Sequence, residues 1–102
     1  MPEVQEALAR LDRELTAARQ RGDGLLKLIH GYGSTGAGGD IRIAVQKRLR
    51  ELASNGQIRS CIFGESWSKS DDETWRFLQS HPALKNDPDL GRRNQGITIV
   101  VL

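Results

Sequence analysis

Three short apolar runs, Leu25 to His30, Ile58 to Phe63 and Ile97 to Leu102, are separated by stretches that carry helical periodicity or turn residues. This alternation constrains the chain more than any other feature, because strands set between amphipathic helices must pack against them in layers. Ahead of the first run, Val4, Ala7, Leu8, Leu11, Leu15 and Ala18 recur at three- and four-residue steps, with Arg10, Arg13, Ala17 and Gln20 on the opposite side. That is an amphipathic helix, opened by Pro2 and closed by Gly22. A second helix is expected with Asp40 as its N-cap. It turns Ile41, Ala44, Val45, Leu49 and Leu52 inward and Lys47 and Arg50 outward until Asn55-Gly56 stops it. The last run is almost wholly apolar and β-branched, which predicts a central, well-covered strand.

The stretch before that last strand is less regular. Ser70 followed by Glu73 has the form of a capping box, predicting a short helix from Asp71 to Gln79 with Trp75 and Leu78 facing the core. Trp67 is left undetermined. Pro82, Asn86, Asp87, Pro88 and Gly91 hold the chain in turns, His81 reads as a turn residue, and Asp71, Asp72 and Glu73 complement a helix dipole. Strands joined through helices imply parallel crossovers and a small α/β layered domain. At 102 residues, 37% of them hydrophobic, the chain suits a single domain, 1–102, with an extended connection over 64–96.

Composition excludes several classes. The lone Cys61 has no internal disulfide partner, and two histidines with one cysteine do not make a zinc cluster, so no metal or cofactor is expected. No apolar run approaches a membrane span, and the charged first helix lacks a signal-peptide core, so a cytoplasmic setting is expected. A formal charge of +2 suits a polyanionic partner without resembling a dedicated nucleic-acid clamp.

The segment from Gly31 to Gly39 contains five glycines and joins a strand to a helix. Glycine lets main-chain N–H groups approach an oxyanion, and a helix N-terminus adds unpaired donors and partial positive charge, so phosphate is the natural guest. Gly31-Tyr32-Gly33-Ser34-Thr35-Gly36 matches the dinucleotide pattern G-x-G-x-x-G, but the helix starts well after the glycines rather than among them. The phosphate-loop NTPase pattern fails because no Lys-Ser or Lys-Thr follows. His30, at the mouth of the segment, is the candidate acid, base or phosphate donor; its alternative role is to satisfy a buried carbonyl.

Leu28-Ile29-His30-Gly31-Tyr32-Gly33, the helix start Ile41-Arg42 and the closing Gly96-Ile97-Thr98-Ile99-Val100-Val101-Leu102 together resemble the Smr (small MutS-related) domain family over nearly the whole chain. The resemblance implies a two-layer α/β sandwich with a small mixed sheet, similar to the C-terminal domain of translation initiation factor three. It also implies binding of DNA or RNA, and in several members structure-selective endonuclease activity. On this reading the nucleic-acid-binding residues are Gly31, Tyr32, Gly33, Ser34, Thr35, Gly36, Arg42, Arg92 and Arg93, with His30 the catalytic candidate.

Three departures from the family pattern shape the expectations. Its Leu-Asp-x-His strand would precede the first helix, and Met1-Pro2 already lies in that helix, leaving His30 without its partners; Glu65, after the second strand, is the substitute. Tyr32 stands where many relatives carry Lys, trading a fixed charge for a stacking surface. The long 64–96 connection contributes Trp67, Trp75, Arg92 and Arg93. Three readings follow: a nucleic-acid-binding domain, a phosphodiester-cleaving endonuclease, and a non-catalytic protein-interaction module. The last would use an exposed sheet edge for homodimerisation or strand addition.

Overall fold

The computed structural model describes residues 2–32 and 39–102. Helix α1 (Pro2–Arg21), strand β1 (Leu25–Ile29), helix α2 (Asp40–Ser54), strand β2 (Ser60–Phe63), helix α3 (Asp72–Ser80) and strand β3 (Ile97–Val101) follow in the expected order. Short 3-10 turns lie at Gly64–Ser66 and Pro82–Asn86. The strands are ordered β1-β3-β2, and β3 is central and buried from Ile97 to Val100, as its composition requires.

Strand direction differs from the expectation of parallel neighbours and a mixed sheet: β3 is antiparallel to both β1 and β2. β1 and β2, joined through α2, do run the same way, but β3 is inserted between them. The reason lies at Gly64. The 64–96 connection leaves the end of β2 and returns to it so closely that a Cβ on Gly64 would sit 1.7 Å from the Asn94 carbonyl oxygen. A strand that starts beside the end of its neighbour must run back along it.

Helices α1 and α2 form one layer and the sheet the other. Leu11 and Leu15 of α1 and Val45 and Leu49 of α2 pack on Leu28 and Val100, with Leu26, Cys61 and Phe63 around them. Alternation along the strands turns Ile62, Ile97 and Ile99 to the opposite face, where Trp67, Leu78, Phe77, Leu84 and Leu90 of the connection cover them. The connection is therefore a cover for the second face of the sheet.

Several local expectations are corrected. Asp40 is the first helical residue, and the N-cap is Gly39, at φ 87° with no side-chain cap. The cap of α3 is Asp71, whose carboxylate accepts from the Thr74 amide and hydroxyl, so the Ser70–Glu73 box is not used. This cap sets the buried stripe to Thr74, Phe77 and Leu78, and the Thr74 hydroxyl also donates to the Ser66 carbonyl. Trp75, one step off the stripe, is half exposed, whereas Trp67 is completely buried. The spacing of Trp75 from Leu78 is helical, yet the cap decides which side of the helix faces inward.

A polar network holds the cover in place. Lys27 of β1 donates to Asp87 at 2.9 Å and to Asp89, and the indole N–H of Trp67 donates to Asp87 at 3.0 Å. Burial opposes the charge on Lys27, but bonding to Asp89 and Asp87 outweighs it and raises its pKa. Burial likewise opposes the charge on Asp87, but bonds from Lys27 and Trp67 hold its carboxyl below its ordinary value; bonds from Lys27 and Asn94 do the same for Asp89.

A carboxylate with a lowered folded pKa contributes stability that is present above about pH 4 and lost as pH falls through the folded value. A lysine with a raised pKa contributes below about pH 10.4 and loses its contribution as pH rises through the folded value. Denaturant unfolding followed across pH should show stability falling at both the acid and the alkaline end, with Lys27→Met removing much of the alkaline fall. Gly64→Ala should destabilise by about 3 kcal/mol, because the clash is with backbone that cannot step aside.

Candidate functional site

The candidate residues gather at the end of the sheet where β1 and β2 finish and β3 begins. The Gly96 carbonyl accepts from both the His30 and Gly31 amides at 3.0 Å, and Gly31, at φ 76°, turns the chain away from the strand. A Cβ on Gly96 would lie 3.2 Å from the Gly31 Cα, so the two glycines permit the close crossing of β1's exit over β3's entry.

His30 shares the α1/α2 face with Leu26 and Leu28 and is half buried. Its Nδ1 is 2.8 Å from the Gly31 carbonyl oxygen and its Nε2 is 3.0 Å from the hydroxyl of fully buried Thr98. A carbonyl only accepts, so Nδ1 carries the proton; Nε2 of the neutral ring then accepts from Thr98. Burial lowers the pKa of His30, with bonding to Gly31 and the charge of Glu65 acting in the opposite sense. The ring thus satisfies a carbonyl and a buried hydroxyl, the structural role that sequence left as its alternative.

Glu65 lies in the same region but bonds elsewhere. Gln46 Nε2 donates to both of its carboxylate oxygens, at 2.9 and 3.1 Å, and the Arg42 guanidinium lies 3.6 Å from it. Arg42 is therefore partly neutralised and braced against α2, not an unpaired cation facing solvent. Its amide also caps the turn by donating to the Tyr32 carbonyl at 3.0 Å. Gln46, almost fully buried, is a member of this cluster that sequence reading missed. A polar residue on the inward side of α2, next to Val45, was the available signal.

Tyr32 is half exposed, and its hydroxyl reaches the Asn94 side-chain oxygen at 3.4 Å. Asn94 also receives the Gly96 amide at 2.9 Å and donates to Asp89 at 3.0 Å. Arg92 and Arg93 precede it in an exposed turn, with Arg93 at φ 53°, a left-handed conformation uncommon for a residue bearing a Cβ. Sequence reading picked out Tyr32 and the arginine pair but not Asn94, the residue that joins them. Gly33, Ser34, Thr35 and Gly36 lie outside the described residues. His81, the expected turn residue, caps α3 and stacks on Phe77 at 4.3 Å between ring centres.

Beside His30, between the first turns of α1 and the end of β1, is a groove of about 270 Å³. Glu3, Glu6 and Glu14 line it with Arg10, and Leu11, Leu28, Ile41 and Val45 contribute apolar side chains. Cys61 sits in the helix–sheet core, where burial raises its pKa, so it is not a ready nucleophile. Among the described residues no helix is long and apolar enough to cross a membrane, and no three His, Cys, Asp or Glu side chains converge as metal ligands would.

No family model, curated protein or solved structure matches the chain.

A histidine whose pKa is lowered on folding contributes stability that is present above about pH 6.5 and lost as pH falls through the folded value. NMR titration should place His30 below that ordinary value. Unfolding free energy should decline on acidification from pH 7, and His30→Phe should remove that part of the decline.

Proposed function

We propose that this chain is an Smr-like nucleic-acid-binding domain that engages unpaired bases and phosphates at the rim formed by Tyr32 and the Arg92–Arg93 turn. The observation that carries the reading is the contact between Tyr32 and Asn94, which joins the entry of the glycine-rich segment to that turn. An exposed aromatic face next to two exposed guanidiniums supplies the two elements that single-strand binding uses, a stacking platform and phosphate contacts. Asn94 is tied to Asp89 and Gly96, so Tyr32 is anchored on the folded core rather than on a loose tip.

Binding fits the geometry better than cleavage. A general acid or base must be within reach of substrate with a ring nitrogen to spare, and both nitrogens of His30 are engaged within the protein. The three glutamates of the groove on the other side of His30 repel a polyanion, which favours approach over the Tyr32 rim. Smr membership is part of the proposal; it rests on the His-Gly pair leaving β1 and on the closing apolar strand, which is the central one. Cytoplasmic location also belongs to this reading.

Fluorescence anisotropy with labelled single-stranded DNA and RNA should give a Kd of about 10⁻⁴ to 10⁻⁶ M at physiological salt, weakening as salt rises. Arg92→Ala with Arg93→Ala should weaken binding and flatten the salt dependence. Tyr32→Ala should weaken binding to single strands more than to duplex. Binding unchanged by all three substitutions would refute the proposal.

A further inference from the structure

The open edge of β1 has features of a receptor for an added strand. The Gly96 carbonyl accepts from the His30 amide and the Gly24 carbonyl from the Leu102 amide, which fixes the ladder: even-numbered residues here direct their main-chain groups toward β3. The N–H and C=O groups of Leu25, Lys27 and Ile29 consequently point away from the sheet. Among the described residues these groups have no main-chain partner outside the ladder. Ile29, at the end of this edge, is 79% exposed, an unusual place for a large β-branched side chain on an edge strand.

The helical layer is wider than the sheet beneath it. Two packed helices at 8–10 Å spacing cover roughly 20 Å, whereas three strands at 4.7–4.9 Å spacing span about 14 Å. On the β2 side the difference is closed, because Arg50 of α2 lies 5.0 Å over the ring of Phe63. On the β1 side it remains open as the groove between α1 and β1, with a volume of about 270 Å³, room for one or two side chains. Its floor is apolar, Leu11, Leu28 and Val45, and three glutamates to one arginine make its wall acidic.

We propose that the β1 edge binds an extended basic peptide segment as a fourth strand. Its main chain bonds to Leu25, Lys27 and Ile29, one apolar side chain fills the groove under α1, and Lys or Arg two positions away on the same face meets Glu3, Glu6 or Glu14. On the other face a neutral β-forming side chain covers Ile29. A second copy of this chain fits poorly. Antiparallel β1–β1 pairing about a twofold axis normal to the sheet puts both α1 helices, each overhanging its own edge, on the same face and against one another. The groove's charge also selects against acidic segments. This surface lies across His30 from the Tyr32 rim, so the inference stands independently of nucleic-acid binding.

The test is an NMR titration of the labelled protein with a capped peptide reading Thr-Lys-Thr-Val-Thr-Lys-Thr. Saturable shifts are expected at the Leu25, Lys27 and Ile29 amides, together with slowed hydrogen exchange there. Replacing both lysines of the peptide by glutamate, methylating its alternate main-chain nitrogens, or introducing Glu3→Lys with Glu6→Lys should each weaken binding at least tenfold. Glu3 and Glu6 are exposed, so thermal unfolding is expected to confirm that this variant remains folded. Absence of saturable shifts, shifts confined to another surface, or equal binding of the glutamate peptide would overturn the proposal. So would concentration-dependent dimerisation that protects the same amides without peptide, since the occupant would then be a second copy.

Discussion

The ion pair of Lys27 with Asp87 and Asp89 is the constraint on which the candidate site depends. A partly buried ammonium is costly unless its hydrogens find acceptors, and here two carboxylates from the cover supply them. The same carboxylates carry the constraint outward. Asp87 takes the indole proton of Trp67 and so fixes the largest side chain of the second core, and Asp89 takes the Asn94 amide. Asn94 then meets Tyr32. A continuous chain of hydrogen bonds thus runs from the middle of β1, through Asp89, 62 residues away in sequence, and Asn94, back to the segment that leaves β1.

His30 illustrates how position and role can separate. It ends a strand beside a glycine-rich segment, where an imidazole is well placed for chemistry. Its ring, however, is directed onto the α1/α2 face, over Thr98 of the central strand. A buried threonine hydroxyl needs a partner, and a sharp turn at Gly31 exposes a carbonyl that also needs one. One neutral imidazole satisfies both, as acceptor for the first and donor to the second. The low affinity of this ring for a further proton follows from the burial around it, which outweighs the opposing bond to the Gly31 carbonyl.

Elements governed by local periodicity were legible in the sequence. Helices α1 and α2, the three strands and the central position of β3 follow from spacing and β-branched content, which act over a few residues. Strand direction was not legible, because it depends on where the 64–96 connection re-enters the sheet, and that is settled by the contact of Gly64 with the Asn94 carbonyl. The exchange of roles between Trp67 and Trp75 has a similar origin. Both are large and apolar, and only the choice of Asp71 over Ser70 as cap, with the Thr74 bond to Ser66, rotates α3 so that Trp75 faces out. In the site, Tyr32 and the arginine pair stood out by residue type and Gln46 was marked only by its polar side chain on the inward side of α2, whereas Asn94 acts through tertiary bonds that leave no local pattern.

The charges of the molecule are divided in a way that bears on any partner. Arg42 is braced by Glu65 and Lys27 by two aspartates, so neither adds much to the outer field despite a net charge of +2. Arg92 and Arg93 stand on an exposed turn at one side of the β1 exit, while Glu3, Glu6 and Glu14 line the groove at the other. At a Debye length of about 8 Å under physiological salt, each cluster is felt mainly by what comes within its own neighbourhood. One end of the sheet thus presents two short-range fields of opposite sign, with the imidazole of His30 between them. Its neutral state keeps that boundary from shifting toward either side at physiological pH.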